Sequence, residues 1–160
     1  MKPGAEKEQE KISVARNRRA RFDYHLLDTF EAGLVLKGTE VKSLRDGKVN
    51  ISDAYGIVRN GEIFLLNAHI QPYDRGGYVN HEPGRTRKLL LHKREISRLI
   101  GAVERDGLTL VPLELYFRKG VAKVAIAVGK GKKMHDKREA AQKRDAQREM
   151  ARVARVVRDR

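Results

Sequence analysis

Cysteine is absent from this 160-residue chain, which excludes disulfide bonds and thiolate metal sites. Long apolar runs are absent as well. None approaches the roughly 18 residues that a membrane span requires, and the N-terminus has no apolar signal-peptide core. A cytoplasmic protein with no membrane partner is the expectation. Catalytic motifs are equally scarce. His25, His69, His81, His92 and His135 show no HExxH spacing, and no Ser-centred nucleophile elbow occurs. Gly129-Lys-Gly-Lys-Lys133 resembles a phosphate loop only superficially. The Walker pattern needs a glycine where Ile126 stands and Ser or Thr after Gly-Lys. No catalytic residue, cofactor or metal is expected, and the protein does not read as an enzyme.

What the chain has in excess is positive charge. Lys and Arg number 35 against 21 Asp and Glu, a net of +14, and the isoelectric point is about 10.2. Neutralising phosphates releases counterions and drives binding, so a polyanionic partner follows, with nucleic acid favoured because the charge is clustered. Residues 130–160 alone hold 12 Lys/Arg against 5 Asp/Glu. That segment has few large apolar side chains with which to offset the entropy of ordering it. The length allows one domain with a core, plus extensions. The expected organisation is a flexible leader over 1–16, a folded body over 17–129 and a basic arm over 130–160. Of each histidine, a surface or RNA-contacting role is expected in place of metal ligation.

Within the body, Asn17-Arg-Arg-Ala-Arg21 is a first basic cluster that abuts a strand signal, with Tyr24, Leu26 and Phe30 on alternate positions. Ala32 to Lys37 continues as an apolar strand. Gly38 to Gly47 then changes period, with Val41 and Leu44 three apart, which predicts a short helix capped by Thr39 and ended by Gly47. Lys42 and Arg45 share another face of it. Asn60-Gly61 between two apolar runs predicts a type I′ hairpin. Residues 71–87 form a long loop, and such loops are often functional or disordered. Ile96, Leu99, Ile100 and Val103 mark an amphipathic helix ended at Asp106-Gly107. Leu108–Val111, Leu113–Phe117 and Val121–Val128 follow as strands, the last two joined by a turn at Lys119-Gly120. Short strands with two helices and no βαβ rhythm indicate a mainly β protein, a small closed or partly closed antiparallel barrel.

The arm carries a helical pattern. Arg144, Arg148, Arg152 and Arg155 fall on one face, and Ala146, Met150, Val153 and Val157 opposite. The apolar stripe is narrow, so the expectation is a tail disordered when free and helical when bound to RNA.

Several stretches together resemble the SsrA-binding protein family, also called small protein B. They are Asn17-Arg-Arg-Ala-Arg21, Phe30-Glu-Ala-Gly33, Gly38-Thr-Glu-Val-Lys-Ser-Leu-Arg45, Arg85-Thr-Arg-Lys-Leu-Leu-Leu-His92 and Gly131-Lys-Lys-Met-His-Asp-Lys-Arg-Glu139. They stand in the family's order and cover nearly the whole chain from Asn17 onward. The resemblance implies an OB-like antiparallel β-barrel with added helices that binds the tRNA-like part of transfer-messenger RNA. It further implies trans-translation, in which the tail enters the decoding centre of the small ribosomal subunit.

Carried over by position, Asn17, Glu31, Leu90 and Lys123 match residues tied to RNA binding. Around them, Arg18, Arg19, Arg21, Lys42, Arg45, Arg85, Arg87, Lys88 and His92 complete the expected RNA-binding set. Gly131, Lys132, Lys133, His135, Asp136, Lys137 and Arg138 match the tail, with His135 implied to contact ribosomal RNA. The tail lacks the tryptophan that some members carry after Asp-Lys-Arg. Tyr73 and Tyr78 in the long loop could stack on bases or serve as local packing. Transfer-messenger RNA and the ribosome are the expected partners of a monomer. A general OB-fold RNA-binding or ribosome-associated protein is the rival reading.

Overall fold

The structure is a computed structural model and describes residues 11–158. Among the described residues, nine strands and four helices follow one another. They are β1 (Lys11–Arg16), α1 (Ala20–Asp23), β2 (Tyr24–Leu34), α2 (Gly38–Arg45), β3 (Val49–Asn50), β4 (Tyr55–Arg59) and β5 (Glu62–Leu66). After these come β6 (His69–Ile70), β7 (Arg87–Leu90), α3 (Lys93–Glu104), β8 (Thr109–Arg118), β9 (Val121–Gly131) and α4 (Met134–Arg158).

Seven strands form one antiparallel sheet in the order β1-β8-β4-β5-β7-β2-β9, and β8 also pairs with β9. The neighbours therefore run around a ring, with β1 added outside β8. Its seams are thin: β4 meets β8 at the single register pair Gly56 and Leu110, and β2 meets β7 at two. The ring is curved and barrel-like without being a closed barrel. At the β4–β8 seam a Cβ on Gly56 would lie 2.7 Å from Leu110 Cβ, so only glycine permits that approach. Inside the ring lie Ala32, Leu44, Ile63, Leu65, Leu89, Leu99, Leu115, Val124 and Ile126, all sealed from solvent.

Local chemistry sets the turns. Asn60 and Gly61 both have positive φ (50° and 73°), as do Lys119 and Gly120 (51° and 74°), the type I′ signature at the two tight hairpins. Gly47 ends α2 at φ 71°, its N–H donating to Leu44 O while Lys48 N–H donates to Ser43 O, a Schellman closure.

Several expectations require correction. Lys11–Arg16, assigned to the leader, is a strand paired with β8, because Ile12 and Ala15 fall in register with Phe117 and Leu115. The rest of the expected leader, residues 1–10, lies outside the described residues. Thr39 does not cap α2. Its N-terminal N–H, that of Lys37, donates to Glu40 Oε1 (2.8 Å), and Thr39 Oγ1 instead meets His81 Nδ1 at 2.9 Å. His81 is buried and not on the surface. The two strands read over 108–117 are one, β8, with a bulge between Pro112 and Glu114.

The body also extends past Val128: Lys130 pairs with His25, and Gly131 with Tyr24. The arm beyond it is the helix α4. At 25 residues α4 exceeds the length at which helix nucleation is limiting. Glu149 and Arg152 form one i, i+3 pair at 2.7 Å. Near its start it is held on α1, with Lys137 Nζ 3.4 Å from Asp23 Oδ1 and the Arg144 guanidinium 4.9 Å from the Phe22 ring centre.

Candidate nucleic-acid interface

Antiparallel pairing places residues from distant parts of the chain in rows. Leu90 pairs with Gly33, Gly33 with Lys123, Lys123 with Tyr116 and Tyr116 with Ser13, one line across five strands. The next line on the same face runs Glu31, Ala125, Glu114 and Arg16, and a third runs Val121, Arg118 and Lys11. Because side chains alternate across a pleated sheet, these positions point away from the core that Ala32, Leu115 and Val124 fill. Leu90, which local pattern alone makes a core residue, is 52% exposed, and its neighbour Leu89 is the one buried.

Asn17 closes one end of this face. Its N–H donates to Leu113 O (2.8 Å) and its Nδ2 to Pro112 O (3.1 Å), so it grips the β8 bulge. Its Oδ1 is buried with no partner among the described residues. It lines a cleft with Arg16, Arg18, Arg21 and Glu114. Arg18, Arg19 and Arg21 are exposed around it, and Arg19 leans to Asp23 at 3.8 Å.

Charges along the face are paired and partly shielded. Lys11 Nζ meets Glu114 Oε2 at 2.9 Å. Burial pushes the Glu114 carboxyl up, but hydrogen bonds from Lys11 and Ser13 outweigh it and leave the pKa below the ordinary carboxylate value. Tyr116 Oη donates to Glu31 Oε2 (2.7 Å), and Arg118 Nη1 reaches the same oxygen (2.8 Å). Lys11, Glu114, Tyr116 and Arg118 were missed in the sequence. The signal was there: Glu114, Tyr116 and Arg118 recur at every second position of one strand.

The other expected residues separate into two groups. Arg87 is fully buried and cannot reach RNA, which corrects its place in the binding set. Its Nε donates to Glu40 Oε2 (2.5 Å), its Nη1 to Ala68 O (2.7 Å) and its Nη2 to Pro83 O (3.0 Å). Arg85 is largely spent in the same knot, its Nη2 donating to Glu40 Oε1 (2.5 Å) and Val35 O (3.2 Å). Lys42 and Arg45 stand on α2 and not on the strands of the outer face, with Lys42 Nζ 5.4 Å from the Tyr73 ring centre. Tyr78 is fully exposed at the tip of the long loop, which Asn80 ties across to Tyr73 N–H and C=O. Lys88 pairs with Glu62 at 3.0 Å, and His92 heads α3.

In the tail, Lys132 is bound back to the body, its N–H to Asp23 O and its Nζ to Arg21 O (both 2.9 Å). Lys133 and Arg138 are exposed. The side chains of His135 and Asp136 lie outside the described residues.

An antiparallel sheet whose outer face carries Lys11, Arg16, Arg118 and Lys123 among two carboxylates and the exposed Leu90, followed by a long basic helix, has the make-up of a small polyanion-binding β protein. The family described as SmpB protein matches residues 14–156. An SsrA-binding protein of Nostoc sp. is 60% identical over 141 residues, covering 88% of this chain and 91% of that one. One from Desulforudis audaxviator is 56% identical over 143 residues, covering 89% and 94%. Among solved structures, a chain of the tmRNA–SmpB complex in the bacterial ribosome superposes with a TM-score of 0.64 at 52% identity, over 79% of this chain and 93% of that one. The chain belongs to the SmpB, or SsrA-binding protein, family.

Proposed function

We propose that this protein binds the tRNA-like part of transfer-messenger RNA (tmRNA) on the outer face of β1, β8, β9, β2 and β7, and carries it to stalled ribosomes for trans-translation. It acts there by binding, with no chemistry of its own, and in the cytoplasm. The observation that carries the reading is convergence. Glu31, Leu90 and Lys123, from three separate strands, share one sheet face, and Asn17 closes one end of it on the β8 bulge. The chemistry suits RNA: Lys123 and the arginines after Asn17 neutralise phosphate, while Leu90 offers an apolar contact to an unstacked base. Lys133, His135, Asp136, Lys137 and Arg138 serve the second step, in which α4 leaves the body and takes the place of a codon–anticodon pair in the decoding centre.

The test compares a tRNA-like-domain transcript with duplex DNA and poly-U in gel shifts at several salt concentrations. Preference for the folded tRNA-like RNA by tenfold or more is the expected result. Equal affinity for all three would leave a general polyanion binder. Variant tails should then block peptide tagging on stalled ribosomes without loss of RNA binding.

A further inference from the structure

Glu31 is an odd residue for a face that meets phosphates, since a free carboxylate there repels the backbone. Its geometry is lopsided. Both of its bonds, from Tyr116 Oη and from Arg118 Nη1, fall on Oε2, and among the described residues Oε1 has no partner. The side chain is still 35% exposed. The two groups that hold it are themselves fixed. Tyr116 is 3% exposed, with Lys11 Nζ 4.5 Å and the Arg118 guanidinium 5.5 Å from its ring centre. Burial and the neighbouring Glu31 raise the Tyr116 phenol well above its ordinary pKa, so it stays a donor at any working pH. Glu31 pairs with Ala125 and Tyr116 with Lys123, so the carboxylate crosses β9 over the small methyl of Ala125 to reach β8.

We propose that Tyr116 and Arg118 are positioning residues that clamp Oε2 of Glu31 and thereby present Oε1 as a fixed, charged acceptor to a donor group of the bound RNA. In RNA that donor is an N–H on a nucleobase edge or a 2′-hydroxyl. The clamp serves discrimination. A phosphate brought against Oε1 is repelled, whereas an N–H or O–H gains a charge-assisted hydrogen bond, so the face accepts RNA in one register only. The proposal rests on the reading of this face as the RNA site.

The experiment is a mutant cycle read by filter binding of the full chain to a tRNA-like-domain transcript, with the melting temperature of each variant recorded. Tyr116→Phe and Arg118→Met should each weaken binding by about three- to tenfold, the range for one ordinary net hydrogen bond, and Arg118→Lys should recover part of it. In a Glu31→Ala background the same two changes should cost less than about twofold, because they act through Glu31. Replacing guanosines by inosine, or single riboses by deoxyribose, should find one position whose loss has no further effect once Glu31 is alanine. The inosine and deoxy arms tell a base donor from a 2′-hydroxyl. If Glu31→Ala leaves affinity unchanged, the outer face is not the RNA site, and the reading falls with the proposal. If Glu31→Ala weakens binding but Tyr116→Phe and Arg118→Met do not, or if their effects persist undiminished without Glu31, only the positioning role is overturned.

Discussion

Replacing Glu40 by alanine removes the one carboxylate that holds two arginines at the base of the long loop. Glu40 has no solvent exposure and accepts three bonds: Arg85 Nη2 at 2.5 Å, Arg87 Nε at 2.5 Å and the Lys37 N–H at 2.8 Å. Arg85 retains partial access to water, but Arg87 has none and would be left a buried cation with only carbonyls for company. Removing one partner of such a pair costs about 3–5 kcal/mol, a large share of the roughly 5–15 kcal/mol that holds a domain together. Helix α2 would also lose the bond at its N-terminus. In a chain of this size each kcal/mol lowers the melting temperature by about 2–4 °C, so Glu40→Ala should melt on the order of 10–15 °C below the parent, and Glu40→Gln somewhat less. Urea unfolding followed by circular dichroism gives the measurement.

The pH dependence has a definite sign. Burial pushes the Glu40 carboxyl up, yet the bonds from Arg85, Lys37 and Arg87 bring it below its ordinary value. Its contribution is therefore complete above the unfolded carboxylate range, near pH 4.5, and is lost as pH falls through the lower folded value. The parent should lose stability on acidification over that window, and Glu40→Gln should lose less. A Glu40→Ala loss below about 1 kcal/mol, with the parent's pH profile intact, would refute the reasoning.

Gly56→Ala should destabilise the ring by about 1–3 kcal/mol, since the new Cβ meets Leu110 at 2.7 Å at the only β4–β8 register pair; an unchanged melting temperature would show that the seam relaxes freely. Truncation after Lys133 should leave the melting temperature and most tmRNA affinity in place while abolishing tagging on ribosomes, whereas truncation after Val128 should lower the melting point, because Gly129, Lys130 and Gly131 pair with β2. Alanine at Arg18 and Arg21 together should weaken RNA binding and reduce the slope of log affinity against log salt by about two, one per phosphate contact, and an unchanged slope would remove them from the interface. Phe22→Ala should free the start of α4, seen as faster amide exchange over 134–144, because Lys137 and Arg144 lie 5.8 Å and 4.9 Å from its ring centre; protection equal to the parent's would show that the ring does not anchor the helix.

By itself the sequence determined what depends on neighbours along the chain. Asn60-Gly61 and Lys119-Gly120 carry turn geometry in two residues, and Gly47 ends α2, as their positive φ values bear out. The spacing of Ile96, Leu99, Ile100 and Val103 marks the apolar stripe of α3, buried at Leu99 and half-buried at the other three, and the basic composition marks the arm. The five collinear motifs carry the resemblance to the family. Only the tertiary structure decided matters that depend on pairing between strands far apart. Pairing made Lys11–Arg16 a strand although its residues look like a polar leader, and carried β9 three residues beyond its apolar run. It turned Leu90 outward and Leu89 inward, since two adjacent leucines carry no mark of which faces the core. It also separated the arginines of two basic stretches by role: Arg87 is sealed against Glu40, Ala68 and Pro83, while Arg18 and Arg21 face solvent. Charge is legible in a sequence, but whether a charge is buried with its partner or open to an RNA is set by the register of strands tens of residues away, where a shift of one residue exchanges the two faces.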